Sequence, residues 1–157
     1  MNLKEVIKAE KTGLDVGKWN DGHIPRSAFP LSKVKDKSYK FGPSYSWRVM
    51  KFSCLGNKCR VLIILNEGKQ IFRARLGIDK DGDMVVLCEY EFHSSEPGWH
   101  CHFTLADLES IEPGAARDGK RRRPKMDNPA ALFTASKANA VAIAARRFGC
   151  EVVGGLI

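Results

Sequence analysis

The pattern of apolar and polar positions changes character three times along the chain. Residues 2–11, NLKEVIKAEK, set Leu3, Val6 and Ile7 on one stripe. Asn2 stands where a helix cap is wanted, Glu5 at the third helical position and Gly13 just past the end, so a short N-terminal helix is predicted. Residues 14–45 carry Gly, Pro, Ser and Lys without a period and predict a long irregular segment with room for short strands. A loop of that length in a compact domain points to function or disorder. From Tyr45 the pattern becomes alternation, with strands expected at 46–55, 58–66, 69–79, 83–94 and 99–104. The breaks are turn-like: GN at 56–57, EG at 67–68, DKDG at 79–82 and SEPG at 95–98. Breaks this short make neighbours pair antiparallel, which gives a five-stranded antiparallel β-meander over residues 46–104.

These turns imply registers, and opposed residues share a face. Phe52 is expected opposite Val61, Ile63 opposite Phe72, Phe72 opposite Tyr90 and Phe92 opposite Cys101. One face then collects Phe52, Val61, Ile63, Phe72, Ala74, Cys88, Tyr90, Phe92, Trp99, Cys101 and Phe103 as the core. On the other face His93 is expected opposite His100, Glu91 opposite His102 and Arg73 opposite Glu89, with Arg75 nearby. Near the first hairpin that same face is apolar (Val49, Leu62, Ile64, Ile71), so a cover is expected there.

The cover predicted is a C-terminal helix at 137–148, with Ser136 as cap, Gly149 as stop, and Ala140, Val141, Ala144 and Phe148 as its buried stripe. A short helix at 105–110 after Thr104, a basic surface loop at 111–130 and a last strand at 150–155 complete the reading. The fold class expected is α+β, in a single domain spanning residues 1–157.

Composition agrees with a globular domain: 157 residues, 43% hydrophobic and 28% charged. No apolar run approaches the roughly 20 residues of a membrane helix, and MNLKEVIKAEK has no apolar signal region, so a cytoplasmic protein without membrane contact is expected. The five cysteines, an odd number, lack both a secretory signal and a paired zinc-knuckle spacing, so they read as small core side chains. The sequence leaves the oligomeric state open.

Charge changes the picture more. The net charge is +8, with eight Lys or Arg against Asp21 and Asp36 between Lys18 and Lys51, and a second cluster, RDGKRRRPK, at 117–125. Such clusters attract polyanions, so nucleic acid or a nucleotide is the expected partner. Arg121, Arg122, Arg123 and Lys125 are candidate phosphate contacts, together with Arg73 and Arg75 on the sheet.

The candidate chemistry lies in HSSEPGWHCH, residues 93–102, which holds three of the four histidines of the chain. H-x-H on a strand turns both rings to one side, and a histidine across the hairpin adds a third nitrogen. His93, His100 and His102 are therefore candidate ligands for a divalent metal, the one cofactor expected. With Glu91 they are also candidate catalytic residues: a metal-bound water, or an acid–base pair of imidazoles, can cleave a phosphodiester. H-x6-H-x-H is similar to the metal motif of plasmid relaxases of the HUH nuclease class. The similarity covers ten residues, and the chain has no tyrosine after Tyr90 to serve as the nucleophile of that class. HSSE at 93–96 and HFTL at 102–105 look like the boxes of 2H phosphoesterases, here crowded onto one hairpin. His23, in WNDGHIPR, reads as a loop residue; it and Asp21 reach the site only if the long segment folds over it. The leading expectation is a metal- or histidine-dependent phosphodiesterase or nuclease. The alternatives are a non-catalytic nucleic-acid-binding module and a protein–protein adaptor or inhibitor.

Overall fold

The computed structural model describes residues 1–33, 38–93, 96–114, 120–122 and 134–150, with the backbone alone at 96–97 and 120–122. It is α+β. The elements run α1 (Leu3–Lys8), β1 (Thr12–Asp15), β2 (Asn20–Asp21), β3 (Ser46–Cys54), β4 (Asn57–Asn66), β5 (Ile71–Lys80), β6 (Asp83–His93), β7 (Glu96–Phe103), β8 (Lys120–Arg122) and α2 (Ala140–Phe148). The sheet order is β1-β3-β4-β5-β6-β7-β8, with β2 also paired to β3. The expected meander is thus β3 to β7, and the expectation of five strands falls short. Residues 12–21, which run into the irregular segment, supply β1 and β2 to one edge, and the basic loop supplies β8 to the other. No helix among the described residues is long and apolar enough to cross a membrane.

Local chemistry accounts for the element ends. Asn2 and Glu5 form a reciprocal capping box on α1. α2 ends at Gly149 in the left-handed conformation, with Arg146 and Arg147 in its last turn. The expected helix at 105–110 is instead a 3-10 turn, Leu108–Ser110. Asp107, not Thr104, stands at its cap position and makes no side-chain cap bond, while Thr104 Oγ1 accepts from the Ala106 N–H at 3.1 Å in a separate local turn. The strand expected at 150–155 lies, beyond Cys150, outside the described residues.

The turns differ from expectation while the faces do not. Leu55 and Gly56 both have positive φ, 50° and 77°, as do Asp81 and Gly82, 54° and 78°. Both are two-residue hairpin turns of the kind that follows strand twist. They pair Phe52 with Cys59 and Lys80 with Asp83. Alone, the second turn would set Leu76 opposite Leu87 and put Glu89 and Glu91 on the core face. A bulge between Leu76 and Gly77 skips Leu87 and restores the alternation, so that Ala74 faces Tyr90 and Arg73 faces Glu91.

Two covers flank the sheet. On one face, α1 and α2 pack with Phe52, Val61, Ile63, Phe72, Ala74, Cys88 and Tyr90 into the main core. Trp99 sits among Phe72, Tyr90 and Phe92, with ring centroids 5.0–5.2 Å apart. Phe92 and Phe103 are only partly buried at its margin. All five cysteines are buried as thiols, with no disulfide among them. The other face carries a second core in which Ile24, Phe29, Leu31 and Tyr39 of the long segment cover Leu62, Ile64, Met84 and Val86. This corrects the expected placement of the C-terminal helix: α2 lies on the opposite face, and the irregular segment supplies the cover. Its approach is close at Gly77, where an added Cβ would stand 2.7 Å from the Phe29 ring.

Candidate metal centre

The site is built on the face covered by the long segment, beyond the end of that cover. Period-two geometry brings Arg73 and Arg75 of β5, Glu89, Glu91 and His93 of β6, and His100 and His102 of β7 to one side. The β6–β7 register pairs Glu91 with His100 and Glu89 with His102, two residues from the expected pairing of His93 with His100. The ladder is irregular between Glu91 and His93, where β7 holds Pro97, which has no N–H to donate. A slip of two keeps every side chain on its face but moves the centre. Glu91, not a histidine, stands in the middle, with His100 across, His102 on the diagonal and His93 two residues along its own strand.

All three imidazoles converge on one atom. The Nε2 atoms of His100, His93 and His102 lie 3.1, 3.4 and 3.6 Å from Glu91 Oε2. The ring of His100 meets those of His93 and His102 edge-on, centroids 5.0 and 5.3 Å away. Among the described residues the compact ligand set is Glu91, His100 and His102, whose donor atoms all lie within 4.8 Å of one another. His93 flanks it.

His100 is oriented by the backbone. Its Nδ1 is 3.2 Å from the Gly98 carbonyl and its Nε2 3.1 Å from Glu91 Oε2; both oxygens only accept, and a cation taken up at Nε2 would leave the ring proton on Nδ1, bonded to Gly98. Such a bond from the far ring nitrogen fixes the tautomer that presents Nε2 to a cation. No sequence signal marks a carbonyl for this role. His100 is fully buried, 0% exposed, whereas His93 and His102 are 18% and 21% exposed. The side chain of His100 therefore lies off the apolar core yet is enclosed. Burial, then the nearby His100 and Arg73, hold the His93 imidazole below its ordinary range.

The arginines differ. Arg75 Nε donates to Glu89 Oε2 at 2.7 Å, Glu89 being buried and Arg75 half-buried, and the guanidinium lies 5.9 Å from the Phe29 ring centroid. Arg75 thus neutralises a buried carboxylate beneath the long segment. Arg73 is 40% exposed, with its Nε 4.0 Å from Glu91 Oε1 and without a hydrogen-bond acceptor. Arg121 and Arg122 lie on β8, where the register sets Arg121 opposite His102 and Arg122 opposite Cys101. Arg123 and Lys125 lie outside the described residues. His23 is exposed, and Asp21 accepts from Ser46 Oγ at 2.7 Å, so neither joins the cluster.

No protein-family model matches the chain, and searches of curated proteins and of solved structures also find no match.

Proposed function

We propose that the chain is a metal-dependent phosphodiesterase acting on nucleic acid or nucleotides, with a zinc-class divalent cation held by Glu91, His100 and His102. One observation carries this reading: three imidazole nitrogens stand 3.1–3.6 Å from a single carboxylate oxygen. Ligands bound to zinc at about 2.0–2.1 Å in a tetrahedron are separated by roughly 3.3 Å, close to these nitrogen–carboxylate separations, and the donor atoms of Glu91, His100 and His102, within 4.8 Å of one another, would draw together around the cation. Two histidines and a carboxylate leave a position for water, whose proton the cation makes easy to lose. His93, held neutral by its surroundings, is suited to take that proton. Arg73 is placed to hold a phosphoryl oxygen.

The purified protein is expected to carry or bind about one zinc per chain, measured by elemental analysis and titration. The variant His102→Ala should lose at least about 100-fold in affinity, beyond the 10–100-fold typical of outer-shell losses. It should also lose cleavage of bis(p-nitrophenyl) phosphate and of labelled oligonucleotides. Metal-free preparations that stay inactive with added zinc, manganese or iron would sink the proposal. A second reading, a nucleic-acid-binding module without catalysis, is favoured by the basic strand β8 beside the histidine-bearing β7. Metal binding without turnover, together with salt-dependent oligonucleotide binding, would select it.

A further inference from the structure

On the helix-bearing face, behind the histidine strands, a cleft of about 680 Å³ opens between α1, the end of α2 and the β6–β7 pair. That volume falls in the range of about 300–1,000 Å³ found for small-molecule sites. Its walls are of two kinds. Leu3, Ile7, Phe103 and Leu105 make an apolar lining over the Cys88 and Cys101 thiols. Leu105 is 69% exposed, an unusual state for a large apolar side chain beside a cavity. Lys4, Lys8 and Arg147 supply the charge, and among the described residues no carboxylate lines the cleft. Arg147 lies 4.5 Å from the Tyr90 ring centroid, and its Nε–H is buried without an acceptor. Arg147 thus adds a positive charge to the cleft wall, fixed against the Tyr90 ring.

We infer that this cleft binds an amphipathic organic anion, an apolar chain or ring bearing one carboxylate or phosphate. The apolar body fills the space along Leu3, Ile7, Phe103 and Leu105, and the head group meets Lys4, Lys8 and Arg147. The site is separate from the histidine cluster: its strand residues, Cys88, Cys101 and Phe103, alternate with Glu89, His100 and His102 along the same strands and so face the other way.

The probe is decanoate, compared with 1-decanol and acetate, with binding read by calorimetry below micelle-forming concentration. Decanoate should bind at one site, and more tightly than decanol by about tenfold, the combined effect of a few partly exposed charge pairs. Acetate should not compete. Neutralising the exposed pair, Lys4→Gln with Lys8→Gln, should remove most of the preference for decanoate and leave decanol binding unchanged. His102→Ala should bind decanoate as the unmodified chain does. Equal affinity of the unmodified chain for decanoate and decanol would overturn the inference without need of any variant. So would competition by acetate, absence of decanoate binding, or its loss in His102→Ala, which would place the carboxylate at the histidines.

Discussion

Glu91 and its three histidines divide their work by burial. His100 is enclosed and held at both nitrogens, by Gly98 and Glu91. His102 reaches the same carboxylate from a position 21% exposed. Removing His100 leaves a hole and an unmet carbonyl, and should cost about 2–3 kcal/mol in urea unfolding. Removing His102, with solvent to fill its place, should cost about 1 kcal/mol or less. Equal costs would mean that the burial difference has no energetic weight. The pH dependence follows from the same groups. A proton and a cation compete for imidazole nitrogen, so metal affinity should fall as pH drops through about 6.5, the ordinary histidine value. His93 is held below that value and stays neutral longer than an exposed histidine. The unfolded chain therefore binds its proton first, and the folded state loses stability as pH falls through the same window. A metal-free protein whose stability is flat between pH 7 and 5 would contradict this.

At the scale of elements, the parity of the strands was legible in the sequence and their turns were not. Alternation alone assigns Phe72, Ala74, Tyr90 and Trp99 to one face and Glu91, His100 and His102 to the other, because a wrong parity would bury carboxylates in the core. It is blind to a slip of two, which preserves every face. Glu91 was therefore recognisable as a member of the site but not as its centre. Turn lengths were misjudged at DKDG because a two-residue turn plus one bulge keeps the same parity as a longer turn without one. The cover of the histidine face was missed for another reason. Ile24, Phe29, Leu31 and Tyr39 have no regular spacing, so no periodicity argument could find the core they build. The bulge gives a test. Leu87 is the extra residue in β6, and deleting it should let Leu76 and Cys88 pair as before while removing a fully buried side chain. Stability should fall by about 2–4 kcal/mol, while zinc affinity, measured by titration on the folded fraction, stays within about threefold. Loss of zinc binding by a protein that still folds would show that the curvature of the bulge, rather than the register, sets the site.

At the scale of the whole molecule, the two faces of the sheet carry different risks. The helix-bearing face holds most of the apolar burial, whereas the other combines a small core with a polar cluster open at one end. Of the basic run at 117–125, the Lys120–Arg122 stretch is brought to the sheet edge beside the histidine-bearing β7. β8 closes the edge of the sheet beside β7, and Arg121 is the register partner of His102. A phosphate backbone drawn to the basic run would thus pass the Glu91 cluster, and binding and cleavage should be separable. Replacing Arg121, Arg122, Arg123 and Lys125 by Gln should weaken oligonucleotide binding and flatten its dependence on salt. In log–log form the slope should fall by about 0.9 for each duplex phosphate that the variant no longer neutralises. His102→Ala should leave that slope unchanged while ending cleavage. Fluorescence anisotropy over a range of salt concentrations reads the first effect, and a gel assay at fixed salt reads the second. If the fourfold Gln variant keeps the full slope, the +8 charge engages nucleic acid elsewhere, with the Lys18–Lys51 basics the remaining concentration of charge, and β8 serves only to close the sheet edge.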